Sequence, residues 1–182
     1  MTKRSMSGLA LAVATALLVV ASQAPATAGH KPSVPNDDFA KCVAGSYLMD
    51  LDVEVGGVSL GTLKALFTFG ADGTIVSEDV SDFGGLDPAG GFESSNRGNW
   101  RQAGRHELTF TAVGFIYASN GALVAIGRLP GKVRFNRNCT NLSSRGRHEL
   151  LPATEDPLDP NALVLDFATF SGSGRRIPAV VE

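Results

Sequence analysis

Residues that carry chemistry on their own are scarce in this chain. Among 182 residues there are two cysteines, three histidines and one tryptophan. Two cysteines are too few for a zinc site of the usual kind. The sequence has no G-x-S-x-G elbow, no phosphate-binding glycine loop followed by Lys-Ser/Thr, and no dinucleotide fingerprint. No cofactor and no metal are therefore expected. Charge of one sign is lacking too: 16 Lys and Arg stand against 18 Asp and Glu, a formal net charge of −2. That balance argues against the electrostatic footprint of a nucleic-acid binder. Beyond the N-terminal stretch no apolar run is long enough to span a bilayer, and no segment shows a convincing helical period.

Two dipeptides, His106-Glu107 and His148-Glu149, begin a zinc-protease pattern, but Phe110 and Pro152 occupy the second histidine positions. Neighbouring strand residues point to opposite faces, so neither pair is a ready-made dyad. A metal or acid–base site would need His106 and His148 to meet across strands. The simpler expectation is exposed histidines beside turns. Asp50, Asp52 and Glu54 have the spacing of a calcium loop, yet Val55 and Gly61 stand where that loop needs Gly and Glu. Strand alternation accounts for the three acids.

What the chain does contain begins with an export signal. Lys3 and Arg4 precede the apolar run 9–20, and Ala26-Thr27-Ala28 offers a small-residue cleavage site. Cleavage after Ala28 is expected, followed by export to the periplasm or the exterior with no stable membrane span. Residues 29–41 read as a polar linker, 42–178 as the folded domain and 179–182 as a tail. An exported chain meets oxidants, so Cys42 and Cys139 are expected to pair. A bridge over so long a loop contributes roughly 4–5 kcal/mol in the chain-entropy model.

The domain reads as strands. Residues 97–121 organise it: two strands joined by a glycine-containing turn, then a second turn at Asn120-Gly121. This stretch holds Trp100, Phe110, Phe115 and Tyr117. Upstream, Tyr47, Met49, Leu51, Val53 and Val55 alternate with acids, the period of a strand with one buried face. Gly56-Gly57 turns the chain into a strand at 63–69, and Ala71-Asp72-Gly73 turns it again into 74–80. Residues 81–96 break the rhythm with four glycines and a proline. Downstream, strands are expected at 122–129, at 132–137 after a break at Pro130-Gly131, at 141–150, and at 163–170 beyond a proline-rich loop, 151–162. GRHEL occurs at 104–108 and 146–150; chance and shared hairpin chemistry explain it. The expected fold is all-β: a single antiparallel up-and-down barrel of about eight strands, closed so that no edge is exposed.

In strand order the chain resembles the lipocalin-like (calycin) barrels. These open their first strand with Gly-x-Trp and end their last with an arginine packed across the ring. Here Gly45-Ser46-Tyr47 and Arg175 or Arg176 hold those places, with Tyr47 and Arg175 as the expected closing pair. Tyr47 replaces the tryptophan, and Gly98-Asn99-Trp100 lies mid-chain. Allene oxide cyclase and its relatives have a similar barrel. The resemblance implies a cavity for a small apolar ligand, with Phe67, Phe69, Trp100, Phe110 and Tyr117 as expected ligand contacts. Phe83, Leu86 and Phe92, on the glycine-rich segment, are expected to act as a lid. Three functions stay open: an exported carrier of an apolar molecule, a cyclase or isomerase using the same cavity, and a filled barrel with a surface or envelope role. No catalytic residue is assigned.

Overall fold

The computed structural model describes residues 37–79 and 91–178. The expected signal peptide, most of the linker and the tail beyond residue 178 lie outside them. The described residues form one helix, α1 (Asp37–Val43), and nine strands: β1 (Gly45–Val55), β2 (Val58–Phe69), β3 (Thr74–Asp79), β4 (Phe92–Glu93), β5 (Asn96–Gly104), β6 (Glu107–Tyr117), β7 (Leu123–Phe135), β8 (Asn141–Pro152) and β9 (Asp166–Arg176). β1 pairs antiparallel with β2, β2 with β3, β3 with β5, and β5 to β9 each with the next, and β9 returns to β1. Eight strands thus close an up-and-down barrel. The two-residue β4 adds to the free end of β6. No helix among the described residues is long and apolar enough to cross a membrane.

Alternation does the work the sequence promised. Along β1, Tyr47, Met49 and Leu51 point inward and are buried, while Asp50 and Asp52 point out. Asp50 pairs with Lys64, and Thr62 donates to Asp52 at 2.6 Å, both on the exposed face. These acids are an outer strand face.

One end of the barrel is filled. Tyr47, Phe69 and Phe135 meet edge to face, with centroids 5.6–5.7 Å apart. Phe67 packs against Phe69 at 6.4 Å and against Phe110 at 5.9 Å. Such pairs add roughly 0.5–1.5 kcal/mol each beyond their burial. The helix α1, in a stretch that reads as linker and the first residues of the folded domain, plugs this end. Its first turn carries Asp37 and Asp38, which suit a helix N-terminus. Phe39, Ala40 and Val43 are buried, and Phe39 stands edge-on to Trp100 and Phe135 at 6.0 and 6.1 Å. At seven residues the helix is too short to hold itself in water. Tertiary contacts fix it, and so no helical period is legible.

Three tethers hold the plug. Cys42 and Cys139 form a disulfide across 97 residues. The Tyr47 hydroxyl donates to the Cys139 carbonyl at 2.8 Å. The Arg176 guanidinium donates to the carbonyls of Cys42 and Ala44 and lies 6.0 Å from the Tyr47 ring centroid. The expected partner of Tyr47 was Arg175; that residue is exposed, one place off, with its side chain on the outer face. Gly45, at φ +141°, makes room for the correct one, since a Cβ there would stand 2.9 Å from Arg176 Nη2.

Three other expectations are corrected. Pro130-Gly131 does not break a strand: β7 runs through it. Gly131 pairs with Gly146 of β8, and their missing side chains admit the rings of Phe110 and Phe170, whose atoms would lie about 2.5 Å from a Cβ at either position. The second GRHEL is therefore mid-strand and owes its glycine to packing, whereas the first forms the β5–β6 turn. The last strand starts at Asp166, not Leu163.

Residues 153–165 fold over the outside of β7 and β8. Arg128, which faces outward, donates to Glu149 Oε2 at 2.7 Å and to the Asp159 carbonyl at 2.8 Å. The loop covers this pair until only 10% of the Arg128 side chain and 5% of that of Glu149 are exposed. Ile126, Leu151 and Ala162 form a small second core there, with Val113 packed against it.

Candidate functional site

The other half of the barrel is hollow. A cavity of about 340 Å³ opens between the ends of the strands, at the lower end of the 300–1,000 Å³ usual for ligand pockets (a rough range). Its floor is Phe67, Leu129 and Phe170. The wall from β9 through β1 to β2 is apolar, with Ala168, Leu51, Val53, Leu60 and Leu63. The opposite wall is polar: Ser77 and Asp79 on β3, Glu93 on β4, Asn96 on β5 and His148 on β8.

Glu93 owes its position to a bulge. Phe92 and Glu93 pair with Tyr117 and Ile116, while Arg97 pairs with Val113. One extra residue thus lies on the β4–β5 side. Ser94 absorbs it, its N–H donating to the Phe115 carbonyl at 2.8 Å and its hydroxyl accepting from the Phe115 N–H at 2.9 Å. A bulge re-aims the side chains beyond it. Without this one, strict alternation from Asn96 would send Glu93 outward; with it, both point in.

Two glycines clear the space. A Cβ on Gly114 would lie 2.8 Å from both Glu93 Oε1 and Asn96 Oδ1. One on Gly127 would lie 2.6 Å from Glu93 Oε1 and 2.5 Å from His148 Nε2. These glycines pair with each other on β6 and β7. Glu93 Oε1 and His148 Nε2 are 3.1 Å apart, with side-chain exposures of 6% and 31%. Burial pulls the His148 pKa down, but the hydrogen bond to Glu93 and the charges of Glu93 and Asp79 more than offset this and hold it above the ordinary 6.5. Asn96 is 3% exposed, and its Oδ1 has no hydrogen-bond partner among the described residues.

Of the residues expected to touch a ligand, Phe67 lines the cavity. Phe69, Trp100 and Phe110 are packed in the filled half, and the Trp100 indole donates to the Gly70 carbonyl at 3.0 Å. Tyr117 does not line the cavity; it stacks on Phe92 with centroids 5.2 Å apart. Phe92, expected in a lid, lines the cavity mouth and is 42% exposed. Phe83 and Leu86 lie outside the described residues. His106 is in the β5–β6 turn at the filled end, so it does not join His148; nor is His148 an exposed residue beside a turn. Among the described residues no three His, Cys, Asp or Glu are grouped to hold a metal ion. The sequence reading missed Asp79, Glu93 and Asn96. The available signal was Ser94-Ser95 between two polar residues at a strand start, which is too common to single out.

Comparisons with family models, curated proteins and solved structures found no match. The closed eight-stranded barrel is compatible with the lipocalin-like fold, and the architecture by itself does not choose between carrier and enzyme.

Proposed function

We propose that this chain is an exported carrier, its signal removed after Ala28, whose barrel holds one small and largely apolar molecule. The observation that supports it most is the division of the barrel into a packed half and an open half. Side chains fill one end with interlocked rings. The other end keeps a cavity with an apolar floor and one apolar wall. Small barrels either fill with side chains or keep room for one ligand, and a barrel with a purely structural role has no use for the second arrangement. A cyclase or isomerase reading has one observation in its favour, the convergence of Glu93, Asn96 and His148 on the cavity. A shaped pocket with a few polar groups suffices to position a reactive substrate.

The test is a titration of the oxidised mature protein with a neutral hydrophobic fluorophore. Saturable binding at one site per chain is expected, with at least a tenfold loss in Ala168→Phe, which places a ring in the cavity mouth. Absence of saturable binding, or binding indifferent to that substitution, overturns the carrier. Intact mass of the protein recovered from its host checks cleavage after Ala28.

A further inference from the structure

Ser77 and Asn96 stand directly opposite each other on β3 and β5, the last pair of that ladder toward the open half. Side chains so paired on one face have Cβ atoms about 4.5–5.5 Å apart. Both residues line the cavity and are buried, at 2% and 3% exposure. Both side chains are polar and uncharged. Asn96 Oδ1 has no hydrogen-bond partner among the described residues, so Ser77 does not donate to it. Buried acceptors in native proteins are nearly all satisfied. The neighbouring Glu93 cannot serve, because an ionised carboxylate only accepts. A polar group sunk beside an apolar floor is costly without a hydrogen bond, and a wall built for stability alone would carry aliphatic side chains here. The charged groups of the wall are committed elsewhere. Glu93 meets His148 at 3.1 Å, and Asp79 holds an interaction of its own. An ammonium therefore finds no carboxylate in waiting. A ligand's carboxylate finds no Lys or Arg among the described residues that line the cavity. What the wall offers a ligand is one hydroxyl and one carboxamide, each able to donate and to accept.

We infer that the carried molecule is an apolar alcohol, its hydroxyl held between the Ser77 hydroxyl and the Asn96 amide and its hydrocarbon part against Leu51, Leu63 and Phe170. A hydroxyl donates and accepts at once, which matches a pair of groups that do the same. An ether or a ketone only accepts and satisfies half of that pair. This rests on the carrier reading and names its ligand class.

Competition against the neutral fluorophore separates the two. Decanol and methyl nonyl ether are isomers of equal bulk; decylamine and decanoic acid share the chain of decanol and are ionised at neutral pH. Decanol is expected to displace the probe about fivefold more tightly than the ether, the worth of one hydrogen bond. It should also bind at least tenfold more tightly than either ionised compound, whose charge would be buried without a partner. A merely apolar cavity ranks the isomers the other way, because the ether has no donor to desolvate. Ser77→Ala and Asn96→Leu should each bring decanol down to the level of the ether, and the ether should change by less than about twofold. If Asn96→Leu does not fold, Ser77→Ala, which removes a single oxygen atom, makes the same measurement. Ether, amine or acid binding as tightly as decanol, or an alcohol preference that survives the substitutions, overturns the inference while the carrier stands. If the fluorophore itself does not bind, the carrier reading and this inference fall together.

Discussion

Glu93 Oε1 and His148 Nε2 lie 3.1 Å apart on the polar wall of the cavity, joined from strands that are not neighbours in the sheet. Glu93 reaches in from β4 across β6 and β7, and His148 meets it from β8. The pair has a consequence for stability against pH. Burial alone would lower the His148 pKa; Glu93 and Asp79 raise it above 6.5. A histidine whose folded pKa is raised stabilises fully below its unfolded pKa and loses that contribution as pH climbs through the folded value. The stability difference between the wild type and His148→Gln should be about 1–3 kcal/mol below pH 6 and should shrink above pH 6.5. Urea unfolding at a series of pH values measures it. A difference that grows with pH would contradict the assignment.

Gly127 is the narrowest point of the arrangement. Ala there sets a Cβ 2.5 Å from His148 Nε2 and 2.6 Å from Glu93 Oε1. Overpacking of this sort costs about 1–3 kcal/mol, and probe binding should weaken as well. Gly104→Ala is the control, because its nearest neighbour would be Glu107 Cβ at a comfortable 3.6 Å. Thermal melts of the two variants should differ clearly; if Gly127→Ala melts with the wild type, the pair is not confined as described.

On the outer wall, Arg128 and Glu149 are sealed by residues 153–165. Replacing Arg128 by Met leaves Glu149 with Arg147 at 2.9 Å, a partner that is 54% exposed. A loss of about 3 kcal/mol is expected. The double variant Arg128→Met with Glu149→Leu should lose much less than the two single changes combined, since neither charge is stranded. Limited proteolysis gives a second readout: Arg128→Met should be cut within 153–165 faster than the wild type. Additive losses and unchanged cleavage would show that the pair does not hold the loop.

At the filled end, Arg176 and Arg175 are adjacent in sequence and opposite in role. Arg176→Ala removes the hydrogen bonds to the carbonyls of Cys42 in the plug helix and Ala44 just after it, and the contact with Tyr47, and should cost about 2–3 kcal/mol. Arg175→Ala, at an exposed position, should stay within about 0.5 kcal/mol of the wild type. Trp100 fluorescence reports on this directly, because Phe39 of the helix packs against its ring. Equal effects of the two substitutions would remove Arg176 from the closure.

Much of the architecture was legible because its signals are local. The alternation of Tyr47, Met49, Leu51 and Val53 requires only neighbours, and so do the turns at Gly56-Gly57 and Asn120-Gly121. The cysteines could pair only with each other. These determine an all-β chain of consecutive antiparallel strands, and closure follows from the cost of open edges. The tertiary structure decided what depends on strands far apart. Pro130-Gly131 is a turn signal by composition and a strand interior by contact, because Phe110 needs the room. The aromatics fall into the filled half because α1 brings Phe39 to them, a choice no periodicity records. Above all, one extra residue at Ser94 decides that Glu93 points into the cavity, and only the pairing of β4 and β5 against β6 shows it. In a strand the side-chain period is two, so a shift of one residue exchanges inside for outside, and the polar wall of this cavity owes Glu93 to that one residue.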